Sequence, residues 1–278
     1  MISDEKLLEL YTAMVQCRVA AEHGMQSKSG SGTAPVAEAI LAGVAVDLEH
    51  SDLLLHPILA TSRRNGHRPI ESLIHALASN GHGRAHRSPA SVAPRGKPAA
   101  DGDAALHYAC QTAKVHKTKK RAAITVAFSD GAGTTSAAWK KSLQRASRHN
   151  LPVLFVAPLE TVPGMRPNGN TSPKATTHGV PVIAVDGHDL VAVYRVASES
   201  IARARQRRGP TVIATALLDA SPEKNVSTGK RRKRKDSESL QRIESHLKDQ
   251  KLFRAGMRAS IEDELRQKLL AATGKRSA

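Results

Sequence analysis

The residues with the clearest chemical potential lie in "AITVAFSDGAGTTSAAWKKSLQRASRHNLPVLFVAPLE", residues 123 to 160. At its centre stands the turn Ser129-Asp130-Gly131-Ala132. The pattern around it is strand, sharp turn, helix, strand. A helix N-terminus attracts anions through its free N–H groups. Gly131 and Gly133 let the backbone approach a ligand closely. Asp130 puts a carboxylate at the same mouth. Such a carboxylate can hold a divalent cation, and the cation can grip a phosphate. The competing reading is a plain turn, because Asp-Gly pairs are common turn formers.

Other reactive residue types are scattered. His82 and His86 are four apart, a spacing that suits a metal on one helix face. Gly81, Gly83 and Pro89 instead favour a solvated loop there. Cys17 and Cys110 form neither a disulfide framework nor a CxxC zinc motif. The run "GKRRKRK", 229 to 235, could bind an acidic partner or nucleic acid, or stay a solvated loop. "RARQRR", 203 to 208, falls at a helix C-terminus, where cations complement the dipole. Trp139, the only tryptophan, reads as packing or subunit contact.

The elements that must position these groups alternate along the chain. Residues 4 to 22 have helical apolar spacing, with Ser3 or Asp4 as cap. "APVAEAILAGVAVDL" and "RPIESLIHALAS" read as further helices, the latter with Pro69 in its first turn. Residues 81 to 103, rich in Gly, Pro and basic groups, read as a loop. A helix over 104 to 116 follows. "AAITVAF" (122 to 128), "LPVLFVA" (151 to 157), "GVPVIAVDG" (179 to 187) and "GPTVIATALL" (209 to 218) are continuous apolar runs, as in strands buried on both faces. Helices over 134 to 149 and 188 to 208 separate them. This order predicts an α/β fold with a doubly wound, mostly parallel sheet flanked by helices. The expected domains are 1–218 for the α/β unit, 219–239 for a basic loop and 240–278 for a C-terminal helical extension.

Composition narrows the partners. A chain of 278 residues can bury one large core, and with only 3% aromatic residues that core must be aliphatic. The formal charge of +17 favours acidic partners. Scarce aromatics argue against base-stacking modules, so nucleic acid is not the expected partner. The acidic, amphipathic start does not read as a signal peptide, and no apolar run suits a membrane span. A cytoplasmic protein is expected.

The order of segments resembles the α subunit of the thiamine diphosphate-dependent dehydrogenase component of 2-oxo acid dehydrogenase complexes, of pyruvate or branched-chain type. "LLELYTAMVQCRVAAEHG" looks like the family's opening helix, and "GTAPVAEAILAGVAVDLEHSDLLL" like its next helix and the Asp turn after it. "VAFSDGAGTTSAAWKKSLQRASRHNLPVLFVAPLE" is similar to its cofactor segment. "GVPVIAVDGHDLVAVYRVASESIARARQRRGPTVIATALL" is the nearest match. The resemblance implies a thiamine diphosphate-binding fold and an oxidoreductase acting on the aldehyde or oxo group of donors. It implies oxidative decarboxylation of a 2-oxo acid with acyl transfer to lipoyl. The partners implied are a β-like subunit and a lipoyl-bearing acyltransferase component, in a hetero-oligomer.

The family binds its cofactor through a Gly-Asp-Gly segment and, further along, a pair of asparagines. The resemblance carries these onto Ser129-Asp130-Gly131, with Ala132 beside them, and onto Leu159 and Glu160. Asp130 and Glu160 would then be the Mg²⁺ ligands, since Mg²⁺ accepts carboxylate oxygen. Several family residues are replaced. Its Tyr-Arg-x-His stretch falls on His56, Pro57 and Leu59, with Arg63, Arg64 and His67 nearby. Its Gly-rich segment is reduced to Gly102, and its later Gly-His-Ser loop to "DASPEKNVSTGKRRKRK". No catalytic histidine carries over. Two expectations follow: a divergent catalytic subunit, or a non-catalytic subunit of the same fold acting as an interaction or regulatory protein.

Overall fold

A computed structural model describes residues 2–26, 38–56, 59–60, 68–78, 101–129, 137–165, 175–216 and 238–274. Its centre is a seven-stranded sheet in the order β2-β1-β3-β4-β7-β6-β5. The strands are β1 (Leu53–His56), β2 (Leu59–Ala60), β3 (Thr125–Phe128), β4 (Val153–Pro158), β5 (Thr176–Thr177), β6 (Val180–Asp186) and β7 (Thr211–Ala216). β1, β3, β4, β7 and β6 run parallel. β2 and β5 add short antiparallel edges. This is the expected α/β fold.

The helices are α1 (Asp4–Gln26), α2 (Glu38–Ala45), α3 (Pro69–Ala78), α4 (Asp101–Thr118), α5 (Ala137–Arg148), α6 (Leu190–Arg205), α7 (Glu238–Asp249) and α8 (Met257–Gly274). Strand side chains alternate between two cores. Val126, Leu154, Val156 and Ile213 face α1, α2 and α6. Ala127, Phe155, Val212 and Ala214 face α4 and α5. Both faces are covered, which is why these strands read as unbroken apolar runs. Trp139 is fully buried, with its ring edge-to-face on Phe155 at 5.5 Å. Packing is therefore the role observed for it.

Local chemistry sets the ends. Asp189 caps α6, its carboxylate accepting from Ala192 N at 2.9 Å; the helix opens at Leu190 rather than at His188. Arg68 N donates to Glu71 at 3.1 Å at the start of α3. The loop expected over 81–103 is shorter at its end, because helix α4 already begins at Asp101. Helix α7 opens at Glu238, so two residues of the expected 219–239 loop are helical. The rest of that loop, with the run 229–235, lies outside the described residues, as do His82 and His86.

The C-terminal helices share the first core with α1, through Leu240, Ile243, Leu247, Leu265 and Leu269. Tyr11 donates to Glu244 at 3.0 Å, tying α1 to α7. Among the described residues, no helix is long and apolar enough to cross a membrane.

Candidate cofactor site

In an open α/β sheet, ligands bind beyond the carboxyl ends of the strands, where the strand order reverses. Here the order reverses between β4 and β7, because β6 lies beyond β7. The expected site residues must be judged against that edge.

β3 ends at Phe128. The ladder runs one residue further, with Ser129 N donating to Val156 O at 2.8 Å. The Ser129 hydroxyl is buried there, without a hydrogen-bond partner among the described residues. A buried hydroxyl of this kind needs a partner. Asp130, Gly131 and Ala132 follow it and lie outside the described residues. The chain resumes at Ala137, the first residue of α5.

β4 ends at Pro158 and passes into one 3₁₀ turn, Leu159–Thr161. Thr161 Oγ1 donates to Pro158 O at 2.7 Å and closes that turn. It directs Leu159 into the core, 4% exposed, and Glu160 outward. Since Phe128 pairs with Val156, Ser129 and Glu160 follow the ends of two adjacent parallel strands, at one carboxyl edge. Of the two positions carried over from the asparagine pair, only 160 offers a side chain to a ligand.

His56 ends β1, next to β3. Its ring packs edge-to-face on Phe128, 5.3 Å between centroids and 63° between planes. Burial pushes its imidazole down to about 4, so the ring is neutral at pH 7. Pro57, Arg63, Arg64 and His67 lie outside the described residues.

The resemblance is borne out by comparison with known proteins. Residues 38–277 match the Dehydrogenase E1 component family. The chain belongs to that family. The α subunit of acetoin:2,6-dichlorophenolindophenol oxidoreductase from Bacillus subtilis (strain 168) is 26% identical over 239 residues, covering 76% of this chain and 69% of that one. The pyruvate dehydrogenase E1 component subunit alpha of Staphylococcus epidermidis is 26% identical over 241 residues, 80% of this chain and 62% of its own length. That of Porphyra purpurea is 27% identical over 141 residues, 46% of this chain and 41% of its own. The matched stretch takes in about two thirds or less of each relative.

The match to the Dehydrogenase E1 component family includes Ser129 to Glu160. The donor set suits a hard cation: a hydroxyl and a carboxylate at one edge, with the Asp130 carboxylate one residue beyond Ser129 in sequence. Among the described residues, no group of three or more His, Cys, Asp or Glu gathers. Neither thiol belongs to the site. Cys17 and Cys110 are free and buried, and burial pushes them up to about 12 and about 11.

One feature of this edge is absent from the sequence reading. At the end of β6, Asp186 accepts from His188 N at 2.9 Å and from Arg242 Nη1 at 2.6 Å. His188 Nδ1 lies 3.0 Å from Ser239 Oγ. These contacts anchor the start of α7 at the carboxyl end of β6. The signal available in sequence was only the Asp-Gly-His turn itself.

Proposed function

We propose that this chain is the α-subunit-like part of a thiamine diphosphate-dependent dehydrogenase component acting on a 2-oxo acid. The observation that carries the proposal is the family match over residues 38–277. The shared edge of Ser129 and Glu160 supports it. In this reading Asp130 and Glu160 hold Mg²⁺ through carboxylate oxygens, and Ser129, Gly131 and Ala132 line the diphosphate. When bound, thiamine diphosphate supplies the carbanion stabilisation that decarboxylation needs. The chain's own residues anchor the diphosphate and keep water out along the Phe128–His56 wall. A β-like subunit completes the site, and a lipoyl-bearing acyltransferase component receives the acyl group. The cytoplasm suits this assignment, since both thiols are free.

A second reading, a non-catalytic subunit of the same fold, is favoured by one observation. His56 stands where the resemblance puts a tyrosine, and it is buried against Phe128. Calorimetry separates the two readings. The catalytic one expects heat when thiamine diphosphate and Mg²⁺ are added to the chain with its β-like partner, and expects Asp130→Ala to abolish it. No heat with or without that partner leaves the non-catalytic reading.

A further inference from the structure

In a parallel sheet with helical crossovers, each helix ends just before the next strand begins. The C-terminus of such a helix therefore sits at the amino edge of the sheet, opposite the cofactor edge. Helices α4, α5 and α6 end this way, ahead of β3, β4 and β7.

All three close with the same paired hydrogen bonds. Arg121 N donates to His116 O and Lys120 N to Lys117 O, at 2.9 and 3.1 Å. Leu151 N and Asn150 N donate to Ala146 O and Ser147 O, at 3.0 and 3.1 Å. Arg208 N and Arg207 N donate to Arg203 O and Ala204 O, at 3.0 and 2.9 Å. This is the Schellman closure, whose left-handed residue is usually glycine. Here that residue is Lys120 (φ 52°), Asn150 (φ 44°) or Arg207 (φ 60°). Two of the three thus carry a long cation where a Cβ is disfavoured.

The three ends form one surface. Lys117 Nζ donates to His149 O at 2.6 Å, joining α4 to α5. Arg205 Nη1 reaches Ala122 O at 3.4 Å, joining α6 to the approach to β3. A Cβ on Gly209 would stand 3.3 Å from Asn150 Oδ1. On this surface Lys119, Lys120, Arg121, Arg148, Arg207 and Arg208 are all exposed. None of them pairs with a carboxylate among the described residues. Asp52 and Glu49, which do contact this edge, are both taken by Arg205, at 2.7 and 3.2 Å. Three helix C-termini contribute only about half a negative charge each. Six free cations exceed what the helix dipoles can account for.

We propose that the amino edge of the sheet is a docking surface for an acidic segment of a partner polypeptide. The inference is independent of the cofactor reading, which concerns the opposite edge. A polypeptide fits better than a nucleic acid, because residues 117–122, 148–152 and 205–210 of this edge include no Phe, Tyr or Trp on which bases could stack, and the relatives matched are themselves alpha subunits of larger proteins. Arginines also suit carboxylates through paired N–H donors.

The test uses the full chain and labelled poly-L-glutamate, followed by fluorescence anisotropy at an ionic strength of about 0.1 M. One variant carries Lys120→Gly, Arg121→Gln, Arg207→Gly and Arg208→Gln. A control carries Lys230→Gln, Arg231→Gln, Arg232→Gln and Lys233→Gln, removing the same charge from the basic run 229–235 of the sequence. The edge variant should lose roughly tenfold or more in affinity and the control less than about threefold. Its melting temperature should hold or rise, because glycine relieves the left-handed positions. A second variant, Arg121→Gln with Arg148→Gln, leaves those positions alone and should lose part of the affinity. Unchanged binding by both edge variants overturns the proposal. So does an equal loss in the control, or random duplex DNA displacing poly-L-glutamate at matched charge.

Discussion

Arg205 holds Asp52 across 153 residues of sequence, with Nη2 at 2.7 Å from Oδ2 and Nη1 at 3.5 Å from Oδ1. The Asp52 side chain is fully buried. It also accepts from Ile124 N at 2.9 Å and Glu49 N at 2.8 Å. One carboxylate thus ties the turn before β1, the approach to β3 and the end of α6. Burial raises its carboxyl above the usual range, against the pull of the two backbone donors and the guanidinium. The folded state therefore holds that proton more tightly than the unfolded state. This contribution to stability falls as pH rises from 3.8 through the raised value, and is flat above it. At neutral pH the partners decide the outcome. Asp52→Ala leaves two N–H groups without their acceptor and Arg205 with only Glu49 as its carboxylate partner among the described residues, and should cost about 2–6 kcal/mol, at roughly 1–3 for each unsatisfied group. Asp52→Asn keeps one acceptor and should cost less. Urea denaturation of both variants measures the difference.

His56 should give the protein an acid-sensitive step. Its imidazole titrates near 4 when folded, against 6.5 when free, because burial disfavours the charged ring. The unfolded state then binds the extra proton. Stability is fully present above about pH 6.5 and is lost as pH falls toward 4. The loss amounts to at most about 3 kcal/mol. His56→Phe keeps an aromatic edge against Phe128 and removes the titration. Its melting temperature should depend less on pH between about 4 and 6.5 than the parent's. Identical pH slopes would exclude His56 as the group responsible.

Gly43 of α2 packs directly against Val193 and Tyr194 of α6. A Cβ there would stand 2.8 Å from Val193 Cγ1 and 3.2 Å from Tyr194 N. Glycine inside a helix costs about 1 kcal/mol relative to alanine. Gly43→Ala should nonetheless destabilise, because overpacking costs about 1–3 kcal/mol and the backbone contact cannot yield. Val193→Ala removes the nearest obstacle. The double variant should therefore be more stable than the sum of the two single changes predicts, which a thermal double-mutant cycle measures.

The strands that could be read from sequence are those buried on both faces. Residues 122–128, 151–157, 179–187 and 209–218 became β3, β4, β6 and β7, shorter than expected except that β4 runs on to Pro158. β1 escaped, because its apolar run is only Leu53–Leu55 and begins directly after the Asp52 turn. Its strand character comes from β3 alongside, a tertiary cause. β2 and β5, two residues each, have no local signature at all. At the candidate site, segment order pointed to Ser129 and Glu160. The contacts of α7 with the end of β6 did not show, because His188–Ser239 and Asp186–Arg242 span 51 and 56 residues. Lysines and arginines crowd 117–121 and 203–208 in the sequence. Their meeting at Ala122 and Arg205, 83 residues apart, follows only from the parallel topology.

Glu160 is the position where sequence and site chemistry pull apart. Its carboxylate stands exposed at the edge shared with the buried Ser129 hydroxyl. If Asp130 and Glu160 hold one Mg²⁺ together, their charges offset the ion and weaken its attraction for diphosphate. Glu160→Asn keeps an oxygen ligand and removes one charge. Thiamine diphosphate should then bind roughly tenfold more tightly in the presence of Mg²⁺, a gain of order 1 kcal/mol for one charge near a phosphate. The fold should not respond, because the side chain is exposed and makes no ion pair among the described residues. Calorimetry gives the affinity and thermal melting gives the control. Unchanged affinity in Glu160→Asn, together with unchanged affinity in Asp130→Ala, removes both carboxylates from the metal.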